Sequence, residues 1–110
     1  MDRLTQYRQI IEKIFNQHNQ YKPSHGEIES ISILDFKSDN YLLLDSGWDR
    51  TGRVHAVFLH LRIVNEKIWI EWDGTETGIT EDLLNLGVDK QHIVLAFMRP
   101  QQRKLTDFAV

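Results

Sequence analysis

Two runs of alternating side chains, Val54 to Val64 and Lys67 to Asp73, are separated only by Asn65-Glu66. A two-residue connection between strands closes a tight antiparallel hairpin, and its length fixes the register. That register sets Ile63 opposite Ile68, Leu61 opposite Ile70 and Leu59 opposite Trp72, with Arg62 opposite Trp69 and His60 opposite Glu71 on the other face. A slip of one residue would mix the apolar and polar sets, so the sorting supports this pairing more strongly than strand propensity does. A sheet with one apolar face is therefore the centre of the fold, with Leu59, Leu61, Ile63, Ile68, Ile70 and Trp72 predicted inward.

The cover for that face is written near the start of the chain. Leu4, Tyr7, Ile10, Ile11, Ile14 and Phe15 recur at helical spacing, and Arg3, Arg8, Gln9, Glu12, Lys13 and Gln17 fill the opposite side. Asp2 is placed to cap the helix start, and Pro23 and Gly26 to end the helix and form a loop. Ile28 to Phe36 and Tyr41 to Trp48 then read as two strands joined through Lys37-Ser38-Asp39-Asn40. After the hairpin, Ile79, Leu83 and Leu86 mark a short second helix, which Gly87 ends in the left-handed conformation. Ile93 to Phe97 is a continuous apolar run of strand length, buried on both faces, which Pro100 stops. The tail from Gln101 to Val110 is basic and then apolar. The order is α-β-β-β-β-α-β: one α+β domain over residues 1–110, with a largely antiparallel sheet packed on helices.

Chemistry is harder to find. The chain contains no cysteine, which excludes disulfides, thiol nucleophiles and thiolate metal sites and suits a reducing cytoplasm. No apolar run approaches the roughly 18 residues of a membrane span. A net charge of −3 lacks the basic excess of a stand-alone phosphate-backbone binder, so DNA is expected to be reached only indirectly. Among the five histidines, His55 and His60 lie five apart on one strand, which strict alternation sends to opposite faces. His18, His25 and His92 fall at a helix end and in loops, and no HExxH or similar ligand spacing joins any of the five. No serine lies in a GxSxG motif and no glycine-rich phosphate loop follows a strand, so no catalytic residue and no cofactor are expected.

Glu71, Asp73, Glu76, Glu81 and Asp82 make the strongest charge asymmetry, with no Lys or Arg from Ile68 to Val88. The simplest use of Glu76, Glu81 and Asp82 is to favour the N-terminal end of the second helix. The alternative is a divalent-metal, nuclease-like site from Asp45, Asp49, Asp73 and Glu76, although the Asp-Gly-Thr-Glu sequence lacks the ligand alternation of a calcium loop. The tryptophans point elsewhere. Trp69 is expected outward beside Arg62, and an exposed indole near arginine on an acidic protein suits a protein partner. Trp48, Arg62, Trp69 and the Asp73-Gly74-Thr75-Glu76 loop are the candidate partner-binding residues.

Gly47-Trp48-Asp49, Arg53-Val54-His55, Lys67-Ile68-Trp69-Ile70, Asp73-Gly74-Thr75-Glu76 and Gly78-Ile79 together resemble the XisI family, the fdxN element excision controlling factors of cyanobacteria. The likeness continues through Asp89 to Phe97 and Arg103 to Val110, and so covers nearly the whole chain. Two departures are modest: Asn65-Glu66 stands where a glycine-containing turn is common, and Ala56 where a glycine is common. The resemblance implies a non-catalytic accessory factor that controls excision of a DNA element during heterocyst development, with a separate site-specific recombinase and a companion protein, XisH. It implies no active site. A XisH-like protein is accordingly the expected partner, with self-association as a second expectation.

Overall fold

Helix α1 (Arg3–Asn19) opens the described part of the chain in the computed structural model, which describes residues 2–19 and 27–110. Asp2 caps it, its Oδ1 accepting from the Thr5 amide at 2.7 Å. The loop expected at Pro23 and Gly26, with His25 in it, lies outside the described residues. Strands β1 (Glu27–Asp35), β2 (Asn40–Asp49), β3 (Gly52–Val64) and β4 (Lys67–Asp73) follow as an antiparallel meander. Helix α2 (Ile79–Asn85) then carries the chain back, Gly87 taking φ 103 beyond its end. After a single 3-10 turn (Lys90–His92), β5 (Ile93–Leu95) pairs parallel to β4. Spatial order equals chain order, β1-β2-β3-β4-β5.

The core lies between one sheet face and the two longer helices. Tyr7, Ile10, Ile11, Ile14 and Phe15 of α1 and Ile79 and Leu83 of α2 close over Tyr41, Leu43, Leu59, Leu61, Ile63, Ile68 and Ile70, all buried. All three residues of β5 are buried although it is the last strand of the sheet, with Ala109 bridging Val94 on the side away from β4. That strand is shorter than its apolar run, since Ala96 and Phe97 turn away. Pro100 does more than stop it. It begins a one-turn helix, α3 (Pro100–Arg103), because proline suits a first helical turn, and Ala109 returns to form a parallel bridge with Val94.

The hairpin register holds near its turn and fails further out. Val64 faces Lys67, Ile63 faces Ile68, Arg62 faces Trp69 and Leu61 faces Ile70, but a bulge between His60 and Leu61 then pairs His60 with Trp72 and Leu59 with Asp73. Glu71 is the extra residue. The expected Leu59–Trp72 and His60–Glu71 pairs therefore do not form, and Trp72 is turned outward, 56% exposed. A second bulge lies where Leu43 and Leu44 face Leu59 and Val57, leaving Phe58 as the extra residue. It shifts the alternation of β3, so His55 and His60 share the outer face instead of opposing each other. The Val57 row still lies between them.

Candidate functional site

Asp73 ends β4 and organises the loop that leads into α2. Its Oδ1 accepts from the Thr75 amide (3.0 Å) and hydroxyl, its Oδ2 accepts from the Ile79 amide (2.8 Å), and the Gly78 amide donates to Thr75 Oγ1 at 3.1 Å. Both carboxylate oxygens are thus engaged in starting α2, whose first amides have no partner within the helix. Gly74 allows the loop to sit against β3. Its amide donates to the Phe58 carbonyl at 2.7 Å, and a Cβ on Gly74 would meet that same oxygen at 2.7 Å, too close for any side chain. Phe58, the bulge residue, points to the core side near His18, with ring centroids 6.4 Å apart. Gln17, His18, Phe58 and Gly74 to Thr77 line an open cleft of about 640 Å³. Its Phe58 and α1 walls carry no sequence motif, because three distant segments and a bulge assemble them.

On the outer sheet face, Arg62 and Trp69 are neighbours, as their register requires. Arg62 also reaches Glu71 Oε1 at 3.1 Å, a contact that the bulge makes available. Trp69 is less open than its outward position suggests. It is half-buried, Arg103 of α3 lies 5.6 Å from its ring, and its buried indole Nε1 has no hydrogen-bond acceptor. Trp72 continues the strip toward Asp73. Trp48, 59% exposed beneath Arg53 at 5.8 Å, sits near the far end of β2. The candidate partner residues therefore form one strip along β4 and the loop after it, with Trp48 apart.

The carboxylates do not gather. Asp49 holds its own turn, accepting from the Thr51 amide (2.8 Å) and hydroxyl (2.6 Å), while Asp73 is occupied at α2. Asp45 lies on β2, separated from β4 by β3, and burial raises its carboxyl above the usual range. Glu76 is exposed in the loop. Among the described residues, no three His, Asp or Glu side chains come close enough together to hold a metal ion. No helix there is long and apolar enough to cross a membrane.

The outer face also carries a signal that strict alternation passes over. Leu42-Leu43-Leu44 in the middle of β2 puts apolar side chains on both faces, and only Leu43 belongs to the core. Leu42 and Leu44 join Ile31, Ile33 and Val57 on the outer face; Ile33 is 41% and Val57 37% exposed.

The crystal structure of the fdxN element excision controlling factor XisI from Anabaena variabilis ATCC 29413 superposes with a TM-score of 0.83 at 38% identity, covering 98% of this chain and 98% of that chain. A XisI-like protein from the same organism superposes with a TM-score of 0.90 at 28% identity, covering 97% and 98%. No curated protein sequence matches the chain. Among protein families, the one described as XisI protein matches residues 1–110, from end to end. The chain belongs to the XisI family.

Proposed function

We propose that this protein is a non-catalytic excision-control factor that acts by contacting other proteins. The observation that carries this reading is its 38% identity, over 98% of both chains, to a protein described as an fdxN element excision controlling factor. A likeness of that extent and coverage supports a shared role, whereas fold alone would not. The partner is a XisH-like companion protein, and a site-specific recombinase performs the strand chemistry. An acidic chain gains little from the phosphate backbone unaided, so the partners supply the contact with DNA.

The partner surface runs along β4: Arg62 and Trp69, then the exposed Trp72, then Asp73, Gly74, Thr75 and Glu76. Tryptophan and arginine are among the residues whose truncation costs most at interfaces, the indole through its large apolar area and the guanidinium through its several fixed donors. Trp72 suits a test better than Trp69, since its exposure lets it be truncated without disturbing the core. Copurification of the tagged protein with a coexpressed XisH-like protein is expected. Trp72→Ala should weaken capture by about 2 kcal/mol, roughly 30-fold in Kd, with an unchanged circular dichroism spectrum. Absence of capture by the wild type, or undiminished capture by Trp72→Ala together with Glu76→Lys, would reject this surface.

A further inference from the structure

We infer that the outer face of β1, β2 and β3 packs against a second copy of this chain, about a twofold axis that runs along β2. The pairings of the meander arrange this face in rows: Glu27–Trp48–Arg53, Glu29–Ser46–His55, Ile31–Leu44–Val57 and Ile33–Leu42–His60. In each row β2 supplies the middle residue. The order of the flanking residues is what identifies the occupant. Carboxylates lie on β1, the basic groups of the same rows lie on β3, and apolar residues fill the centre.

A rotation of 180° about an axis along β2 turns the face over and lays β1 of one copy on β3 of the other, row for row. Glu27 then meets the Arg53 of the copy, Glu29 meets its His55, and Ile31 meets its Val57. Leu42, Leu44 and Trp48 lie along the axis and meet themselves. No row opposes like charges, and every contact occurs twice, as an isologous interface demands. Aligned sheets pack at about 30° to each other, which tilts each β2 by about 15° from the axis. The central apolar rows stay in register under that tilt, and the outermost row carries Glu and Arg, whose long side chains follow the displacement. Ile33 and Val57 remain open in the single chain beside Ile31, Leu42 and Leu44, an apolar patch of the kind that marks an interaction site, and Trp48 is exposed beyond the polar Glu29–Ser46–His55 row. The fold explains why it is free, because both longer helices cover the other face.

This pairing uses the rows from Glu27–Trp48–Arg53 to Ile33–Leu42–His60, whereas the partner surface proposed above follows β4 and takes only Arg62 from β3, outside those rows, so the two readings fail separately. Sedimentation equilibrium of the full chain at low salt should show a dimer. Val57→Glu, at an exposed position, and Leu44→Glu should each give a monomer with an unchanged circular dichroism spectrum. Glu27→Arg and Arg53→Glu should each raise the dimer Kd at least about tenfold, and the two together should restore it to within about threefold of wild type, because their charges face each other across the axis. A monomeric wild type at about 100 µM would overturn the proposal. So would a dimer insensitive to Val57→Glu, charge reversals that merely add, or a wild type whose Val57 face captures a XisH-like protein and no second copy.

Discussion

Glu66 is held at φ 62 beside Asn65 at φ 52, so both central residues of the β3–β4 turn are left-handed. This is the type I′ turn whose twist matches that of the strands it joins, and asparagine tolerates the first position through its short polar side chain. Glutamate has no such relief. Its Cβ crowds the next carbonyl, at a cost of about 1 to 2 kcal/mol. Arg3 reaches Glu66 Oε2 at 3.2 Å, but both side chains are largely exposed, and such a pair returns only about 0.2 to 1 kcal/mol. The strain is the largest of these effects. Glu66→Gly is therefore expected to raise stability by about 0.5 to 1 kcal/mol in urea unfolding, after the greater freedom of glycine in the unfolded chain is deducted. A less stable variant would mean that the contact with Arg3 outweighs the backbone strain. The glutamate suits the turn's charge and not its backbone.

At the level of elements, the bulge after Ile70 decides which hairpin side chains carry stability. Leu61 is fully buried opposite Ile70, so Leu61→Ala should cost about 2 to 5 kcal/mol by chemical denaturation, the usual range for a large-to-small core change. Trp72→Ala, past the bulge and 56% exposed, should cost less than about 1 kcal/mol although it removes a larger side chain. A reversal of that order would restore the unbroken register. The pairs nearest the turn are legible in the sequence because two connecting residues leave one register open. Beyond Leu61 the alternation contains no mark of the extra residue, since Trp69, Glu71 and Trp72 fit either face as pattern alone. The two-sided character of β2 is legible in Leu42-Leu43-Leu44, yet what covers the second face is not, because periodicity reports burial and not the partner. Asp73 is legible as a loop acid near a helix start. Its grip on Ile79 six residues later depends on the turn geometry of Gly74 and Thr75, which no spacing rule contains.

Across the whole molecule, proton binding acts mostly in one direction. The Arg8 guanidinium donates twice to Asp39, at 2.9 Å each, and holds its carboxyl below the usual carboxylate range; with the Tyr41 hydroxyl also donating at 2.6 Å, this ties α1 to the β1–β2 turn and the core. Asp2, Asp35 and Asp49 are lowered as well, by hydrogen bonds from the Thr5 backbone and from the Ser38 and Thr51 side chains. Each depressed carboxylate adds stability that is full above its unfolded pKa and is lost as pH falls through the folded one. Asp45, raised by burial, works against them, but it is one group against four. His60 belongs with the majority. Burial lowers its pKa below 6.5, outweighing the nearby Glu71, so the unfolded chain takes up the proton first and stability falls as pH drops from about 6.5. The urea midpoint should therefore hold near neutral pH and decline in two stages, the first beginning near pH 6.5 and the second below about pH 4. His60→Gln keeps a side-chain donor toward Asn40 and should remove the first stage. Asp39→Asn suits the left-handed backbone there, φ 56, and should lower the neutral midpoint while flattening the second stage. A midpoint that rose between pH 7 and pH 5, or an unaltered acid limb in both variants, would show that these groups do not control acid stability.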